Sequence, residues 1–136
     1  MEYKTKKRLQ TALRRFYSGK PYGYISAYIG TNRETFINHV NKYLLSGMTR
    51  ENFGSVWGLD HIVPVDLFDE RDMDDLRLCY NFHNIMPMFN TDNRLKGASV
   101  HFSLAKLESM HTNVYIQTLI DRCQTEITAR YTKYLI

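Results

Sequence analysis

Two short apolar runs interrupt a sequence whose remaining pattern is helical, and they constrain the fold more than any other feature. Trp57-Gly58-Leu59-Asp60-His61-Ile62-Val63 is short, apolar and partly β-branched, and Pro64 ends regular pairing after it. Ile85 to Phe89 is a second run of strand length, and Pro87 within it argues for an edge. Two such strands are too few for an independent sheet, and a pair this small usually exists because something needs it.

Helical periodicity surrounds them. Leu9, Leu13 and Phe16 set a helix over 3–17, which Ser18, Gly19, Pro21 and Gly23 break. Tyr24 to Ile29 is a short apolar piece. Thr31 and Glu34 have capping-box spacing for a helix running to Leu45, with Phe36, Val40, Tyr43 and Leu44 on its inner face. Thr49 to Phe53 adds a turn. Asp69 to Tyr80 reads as a helix with Met73, Leu76 and Cys79 or Tyr80 in period, and Thr91 to Lys96 as a polar helix meeting Gly97. Val100 to Met110 and Asn113 to Tyr134 follow, the last with the stripe Ile116, Leu119 or Ile120, Cys123, Ile127 and Tyr131. The expected class is therefore α+β and mainly helical. At 136 residues the chain reads as a single domain, 1–136. Within it, residues 1–54 form a basic helical segment, 55–98 the central segment and 99–136 the C-terminal helices.

The net charge of +4 conceals its distribution. Residues 1–20 carry seven basic side chains against Glu2, while residues 60–75 carry seven acidic ones against Arg71. A basic arm suits an anionic polymer, and an acidic stretch either holds a cation or is a solvated face. Cys79 and Cys123 lie too far apart in sequence for a four-ligand zinc site and build no disulfide framework. No apolar run approaches the ~20 residues of a membrane helix, and no signal peptide is evident, so a cytoplasmic location is expected.

The central segment also carries the chemistry. Asp60 and His61 end the first strand, Asn84 opens the second, and Asn93 lies in the following helical turn beside Arg94 and Lys96. A carboxylate and an amide oxygen are hard ligands for Mg2+ or Mn2+. An imidazole beside such an ion can take a proton from water near neutral pH, and Arg94 and Lys96 can hold phosphate oxygens. Together these groups suit metal-assisted phosphodiester hydrolysis. One geometric point resists: in a regular strand Asp60 and His61 face opposite ways, so the backbone must bend or end there if both serve one site.

Three blocks in order, Leu59-Asp60-His61-Ile62-Val63-Pro64, His83-Asn84-Ile85-Met86-Pro87-Met88 and Thr91-Asp92-Asn93-Arg94-Leu95-Lys96-Gly97, resemble the HNH nuclease motif. Gly47 to Gly54 is similar to the lead-in of phage and giant-virus members. The resemblance implies a ββα-metal finger, also called a His-Me finger, in which a β-hairpin packs on a helix with one divalent cation between them. It is flanked here by N-terminal and C-terminal helices. Carried over, His61 is the general base and Asn84 fixes the hairpin loop that orients it. Asp60 and Asn93 are the ligands of one divalent cation, Mg2+ or alternatively Mn2+, and Lys96 approaches a phosphate. The implied activity is a DNA endonuclease or nickase leaving 5′-phosphate and 3′-hydroxyl ends, free-standing homing or junction-cleaving in type. If phage-encoded, it would act in the host cytoplasm. Two features depart from the pattern: a longer insert between His61 and Asn84, and the absence of CxxC pairs, so no structural zinc is expected. The alternative is a non-catalytic nucleic-acid-binding module that keeps the scaffold.

Outside this motif Lys6, Lys7, Arg14 and Arg15 are the DNA-backbone candidates. Tyr17, Tyr22, Tyr24 and Tyr28 could stack on bases but are more often core and rim, and the run Asp69 to Asp75 reads as a solvated helix face that could also form a helix N-terminus favouring negative charge. His39, His101 and His111 are assigned no chemistry. The C-terminal stripe reads as core, with a homodimer interface as the sharper alternative.

Overall fold

The fold is a computed structural model that describes residues 2–23, 25–97 and 99–132, without the side chains of residues 2–6. Among the described residues seven helices surround one hairpin: α1 (Glu2–Ser18), α2 (Ile25–Ile29), α3 (Arg33–Lys42), β1 (Trp57–His61), α4 (Met73–Tyr80), β2 (Ile85–Phe89), α5 (Asn90–Lys96), α6 (Val100–Glu108) and α7 (Val114–Thr132). Short 3-10 turns at Val65–Leu67 and Phe82–Asn84 lead into α4 and β2. The α+β, mainly helical class is as the sequence pattern indicates. Tyr24 and Tyr134, both assigned above, lie outside the described residues.

Strands β1 and β2 pair antiparallel, Trp57 opposite Phe89 and His61 opposite Ile85. One face of the pair carries Trp57, Leu59 and His61, all buried, and the other carries Gly58 and Asp60, both half-buried. Helix α5 packs on both strands, α3 on β2, α6 on α7, and α2 on both α1 and α4. Trp57 anchors the hairpin: its ring lies 4.8 Å from Phe53 and 5.8 Å from Tyr17, and its indole N–H donates to the Thr49 carbonyl at 2.7 Å. The Thr49 to Phe53 turn is closed by reciprocal bonds, Thr49 N–H to Asn52 Oδ1 (2.8 Å) and Asn52 N–H to Thr49 Oγ1 (3.2 Å).

Several local expectations change. Asn32, not Thr31, caps α3, accepting from the Thr35 N–H at 2.8 Å. Its side chain reaches the third residue on, where a donor lacks an intrahelical partner. Helix α3 stops at Lys42 rather than Leu45, and Leu45 is exposed. Strand β1 ends at His61 rather than Val63, because Ile62 and Val63 turn away to meet Asn84. Met73 is exposed rather than on the inner face of α4, whose buried positions are Leu76, Cys79 and Tyr80.

The acidic run is more structural than a solvated face. Asp72 caps α4, and Asp75 takes both arms of Arg122 from α7 at 2.8 and 3.0 Å while accepting the Asp69 N–H at 2.8 Å. Arg122 lowers the Asp75 carboxyl below its ordinary range. The tyrosines are rim and core: Tyr22 stacks on Phe16 at 4.6 Å, and Tyr17 packs among Phe36, Phe53 and Trp57. On α7, Ile116, Leu119 and Cys123 are buried and Tyr131 is exposed. Among the described residues no helix is long and apolar enough to cross a membrane.

Candidate functional site

The turn after His61 is held by one side chain. Asn84 is fully buried; its Oδ1 accepts the Val63 N–H at 2.8 Å, and its Nδ2 donates to the carbonyls of Cys79 (2.9 Å) and Val63 (3.2 Å). The Asn84 carbonyl accepts the Ile62 N–H at 2.7 Å. An amide has one acceptor oxygen and two N–H donors, and here both ends are used on backbone that neither strand could satisfy. Ser103, buried on α6, donates to the Ile62 carbonyl and so ties the same turn to the C-terminal helices. Asn84 thus fixes where β1 ends and how His61 leaves it.

Asp60 and His61 keep the alternation of the strand to its last residue. The Asp60 carboxylate meets α5, where the Lys96 ammonium donates to Asp60 Oδ2 at 2.8 Å and to the His61 carbonyl at 2.8 Å. These side chains are enclosed, Lys96 4% and Asp60 14% exposed. Asp60 Oδ1 makes no hydrogen bond among the described residues. Gly97, at φ +53, closes α5 directly after Lys96, a conformation that side chains rarely adopt.

The His61 ring lies on the other face, buried edge-on to Tyr80 with centroids 4.6 Å apart. Its Nε2 is buried and has no hydrogen-bond partner among the described residues. Burial, with the nearby Lys96 charge adding to it, lowers the imidazole pKa to about 3. Near neutral pH the ring is therefore uncharged, and its free nitrogen can accept a proton but does so weakly in this enclosed setting.

Asn93 and Arg94 are exposed on α5. Asn93 precedes Lys96 by three residues, which puts the two side chains on neighbouring positions of one helix face, about 5–6 Å apart at Cβ. Lys96, and not Asn93, is the α5 side chain that bonds Asp60; the Asp60 and Asn93 oxygens are both of the hard type that suits Mg2+ or Mn2+. Among the described residues no three His, Cys, Asp or Glu side chains stand close enough to hold a metal ion. An ion on Asp60 and Asn93 would take its remaining ligands from water and phosphate.

The basic candidates lie elsewhere. Lys7, Arg8 and Arg15 line a groove of about 540 Å³ along α1, with Pro21 and Tyr22 on its far side. Arg14 is exposed on the same helix, and the Lys6 side chain lies outside the described residues. His39, given no role from sequence, bonds the Ile85 carbonyl through Nε2 at 2.7 Å and so supports the start of β2. His83 is held by Asn81 and stacks on Tyr115 at 5.1 Å.

The residues that sequence reasoning missed are Tyr80, Ser103 and the pairing of Lys96 with Asp60. Ser103 left a trace: with Val100 and Leu107 it makes an inward stripe, and a hydroxyl on such a stripe needs a partner. The Lys96 pairing left none, because 36 residues separate it from Asp60.

No family model matches the chain, and no solved structure matches it. Among curated proteins it is similar to an uncharacterised protein of Acanthamoeba polyphaga mimivirus, 26% identical over 76 residues. That match covers 56% of this chain and 34% of the relative, so the chain spans about a third of the relative's length.

Proposed function

We propose that the chain is a metal-dependent DNA endonuclease or nickase of the HNH, ββα-metal type, acting with one divalent cation. The observation that carries the reading is the Asn84 clamp. A fully buried amide spends every hydrogen bond on the backbone around the turn that follows Asp60 and His61. Support also comes from α5 packing on both strands and bringing Lys96, three residues beyond Asn93, onto Asp60.

In this mechanism Asp60 and Asn93 would hold the cation, which would supply charge stabilisation at the scissile phosphate and its leaving 3′ oxygen. His61, whose ring lies on the strand face opposite Asp60, would have to turn toward the joint to accept the proton of the attacking water at Nε2, the nitrogen with no hydrogen-bond partner among the described residues. As the P–O bond to the 3′ oxygen breaks, Asn84 keeps the imidazole oriented. Arg94 and Lys96 contact nearby phosphates, and Lys7, Arg14 and Arg15 with Lys6 hold the duplex backbone farther along. The His61 ring is a weak base while enclosed, so catalysis requires water and phosphate to reach it in the complex. Free-standing homing and junction cleavage are the two substrate classes, and the second requires a dimer with two sites.

Purified protein with Mg2+ or Mn2+ nicks supercoiled plasmid, and His61→Ala abolishes nicking while retaining the circular dichroism of the wild type. Equal activity of the two proteins overturns the assignment. A second reading rests on the Asp60–Lys96 ion pair, in which an ammonium already neutralises the carboxylate. On that reading the chain binds nucleic acid without cutting it, and calorimetric titration with Mg2+ gives no heat of binding.

A further inference from the structure

Lys96 is not placed as an ordinary phosphate contact. Its side chain is 4% exposed, and its ammonium is shared between Asp60 Oδ2 and the His61 carbonyl, each at 2.8 Å. These acceptors are one carboxylate and one carbonyl, oxygen types that hard cations also take. They join the end of β1 to the last turn of α5, and Gly97 fixes the backbone immediately beyond. An ammonium in this position opposes a divalent ion on the same carboxylate, because the two positive charges repel at a few ångström.

We infer that the Lys96 ammonium is a built-in occupant of the cation site: it holds Asp60 in the free protein and must leave before a divalent cation can bind. This rests on the nuclease reading only for what happens after exchange. Once displaced, Lys96 swings on its four-carbon stem toward the surface, where Arg94 is exposed, and becomes available to phosphate. The internal cation neutralises Asp60 and ties hairpin to helix without metal, so the free protein needs no ion to complete this joint. The exchange also weakens metal affinity, since each ion bound must break two charge-assisted hydrogen bonds.

The test compares Mn2+ affinity of the wild type and Lys96→Met by calorimetry, with Asp60→Asn as the control that removes the anchoring carboxylate. Lys96→Met binds Mn2+ at least tenfold more tightly than the wild type, and Mn2+ raises its melting temperature more. Equal or weaker binding by Lys96→Met overturns the inference. Should that variant not fold, the wild type decides through acetylation of Lys96 by a water-soluble amine reagent, read by mass spectrometry. Lys96 is protected without the ion and reacts at least fivefold faster in saturating Mn2+; an unchanged rate overturns the inference. The two proposals fail separately. Metal-dependent nicking by the wild type with no gain of affinity in Lys96→Met sinks the inference and leaves the nuclease standing. A gain of affinity in proteins that never nick DNA does the reverse.

Discussion

Asp60 and Asp75 both belong to the acidic stretch 60–75, and both pair with a distant cation, yet their surroundings differ in kind. Asp75 is saturated: Arg122 bonds both of its oxygens, the Asp69 N–H bonds one of them as well, and the pair remains 20–30% exposed. Asp60 has one oxygen on Lys96, no bond to Oδ1 among the described residues, and a partner almost wholly enclosed. Arg122 makes a fork that closes on a carboxylate, which suits a permanent brace between α7 and the α4 lead-in. Lys96 makes a point contact that another cation can replace. A run of acidic residues therefore carries no single meaning. Charge density drew attention to Asp69 through Asp75, whereas unfilled coordination distinguishes Asp60.

Enclosure is tested most severely by removing the buried ammonium. Lys96→Met leaves the Asp60 carboxylate buried without its partner and costs about 3–5 kcal/mol in urea unfolding without divalent ions. Adding Asp60→Asn recovers much of that loss, and a loss below ~1 kcal/mol for Lys96→Met would make the two ion pairs equivalent. Next, Asn84→Ala strands two carbonyls and one N–H around the His61 turn and costs about 3 kcal/mol. The same change at exposed Asn93 leaves stability within ~0.5 kcal/mol, so similar costs at both positions would dissolve the clamp.

Acid separates the two regions by sign and by window. The His61 pKa falls from 6.5 to about 3 on folding, so the unfolded chain binds the proton first. Stability from this region is full above pH 6.5 and declines as pH falls toward 3, by about 1.4 kcal/mol per pH unit. His39 and His83 are lowered too and add to the slope, so His61→Phe flattens it only in part. The Asp75 carboxyl is depressed on folding, and its contribution is lost only below its ordinary 3.8. The pH dependence of urea unfolding between pH 7.5 and 4.5 therefore responds to His61→Phe and not to Asp75→Asn. Of the two ion pairs, the smaller change comes from Arg122→Ala, about 1 kcal/mol at low salt and less at 0.5 M NaCl, because the pair is partly open to solvent.

Much of the architecture was readable from periodicity. The inward stripes Leu9, Leu13 and Phe16 and Ile116, Leu119 and Cys123 are buried as their spacing requires, and the two short apolar runs pair as a hairpin. What periodicity handled badly were ends and edges. The α3 cap moved by one residue and β1 lost its last two, because caps and strand ends depend on which distant group offers a hydrogen bond. For the candidate site, spacing and residue type singled out Asp60, His61, Asn84 and Asn93 but said nothing of their exposure. Asn84 and His61 are buried, and Asn93 is open to solvent.

The class of the fold, the hairpin at its centre and the residues at its end are written in local sequence, because alternation, helical period and proline act within a few neighbours. Tertiary packing alone decided that His61 is sealed against Tyr80, that Ser103 and Asn84 pin the turn beyond it, and that Lys96 sits on Asp60. Those outcomes depend on desolvation and on partners 19 to 41 residues away, and neither is a property of local sequence.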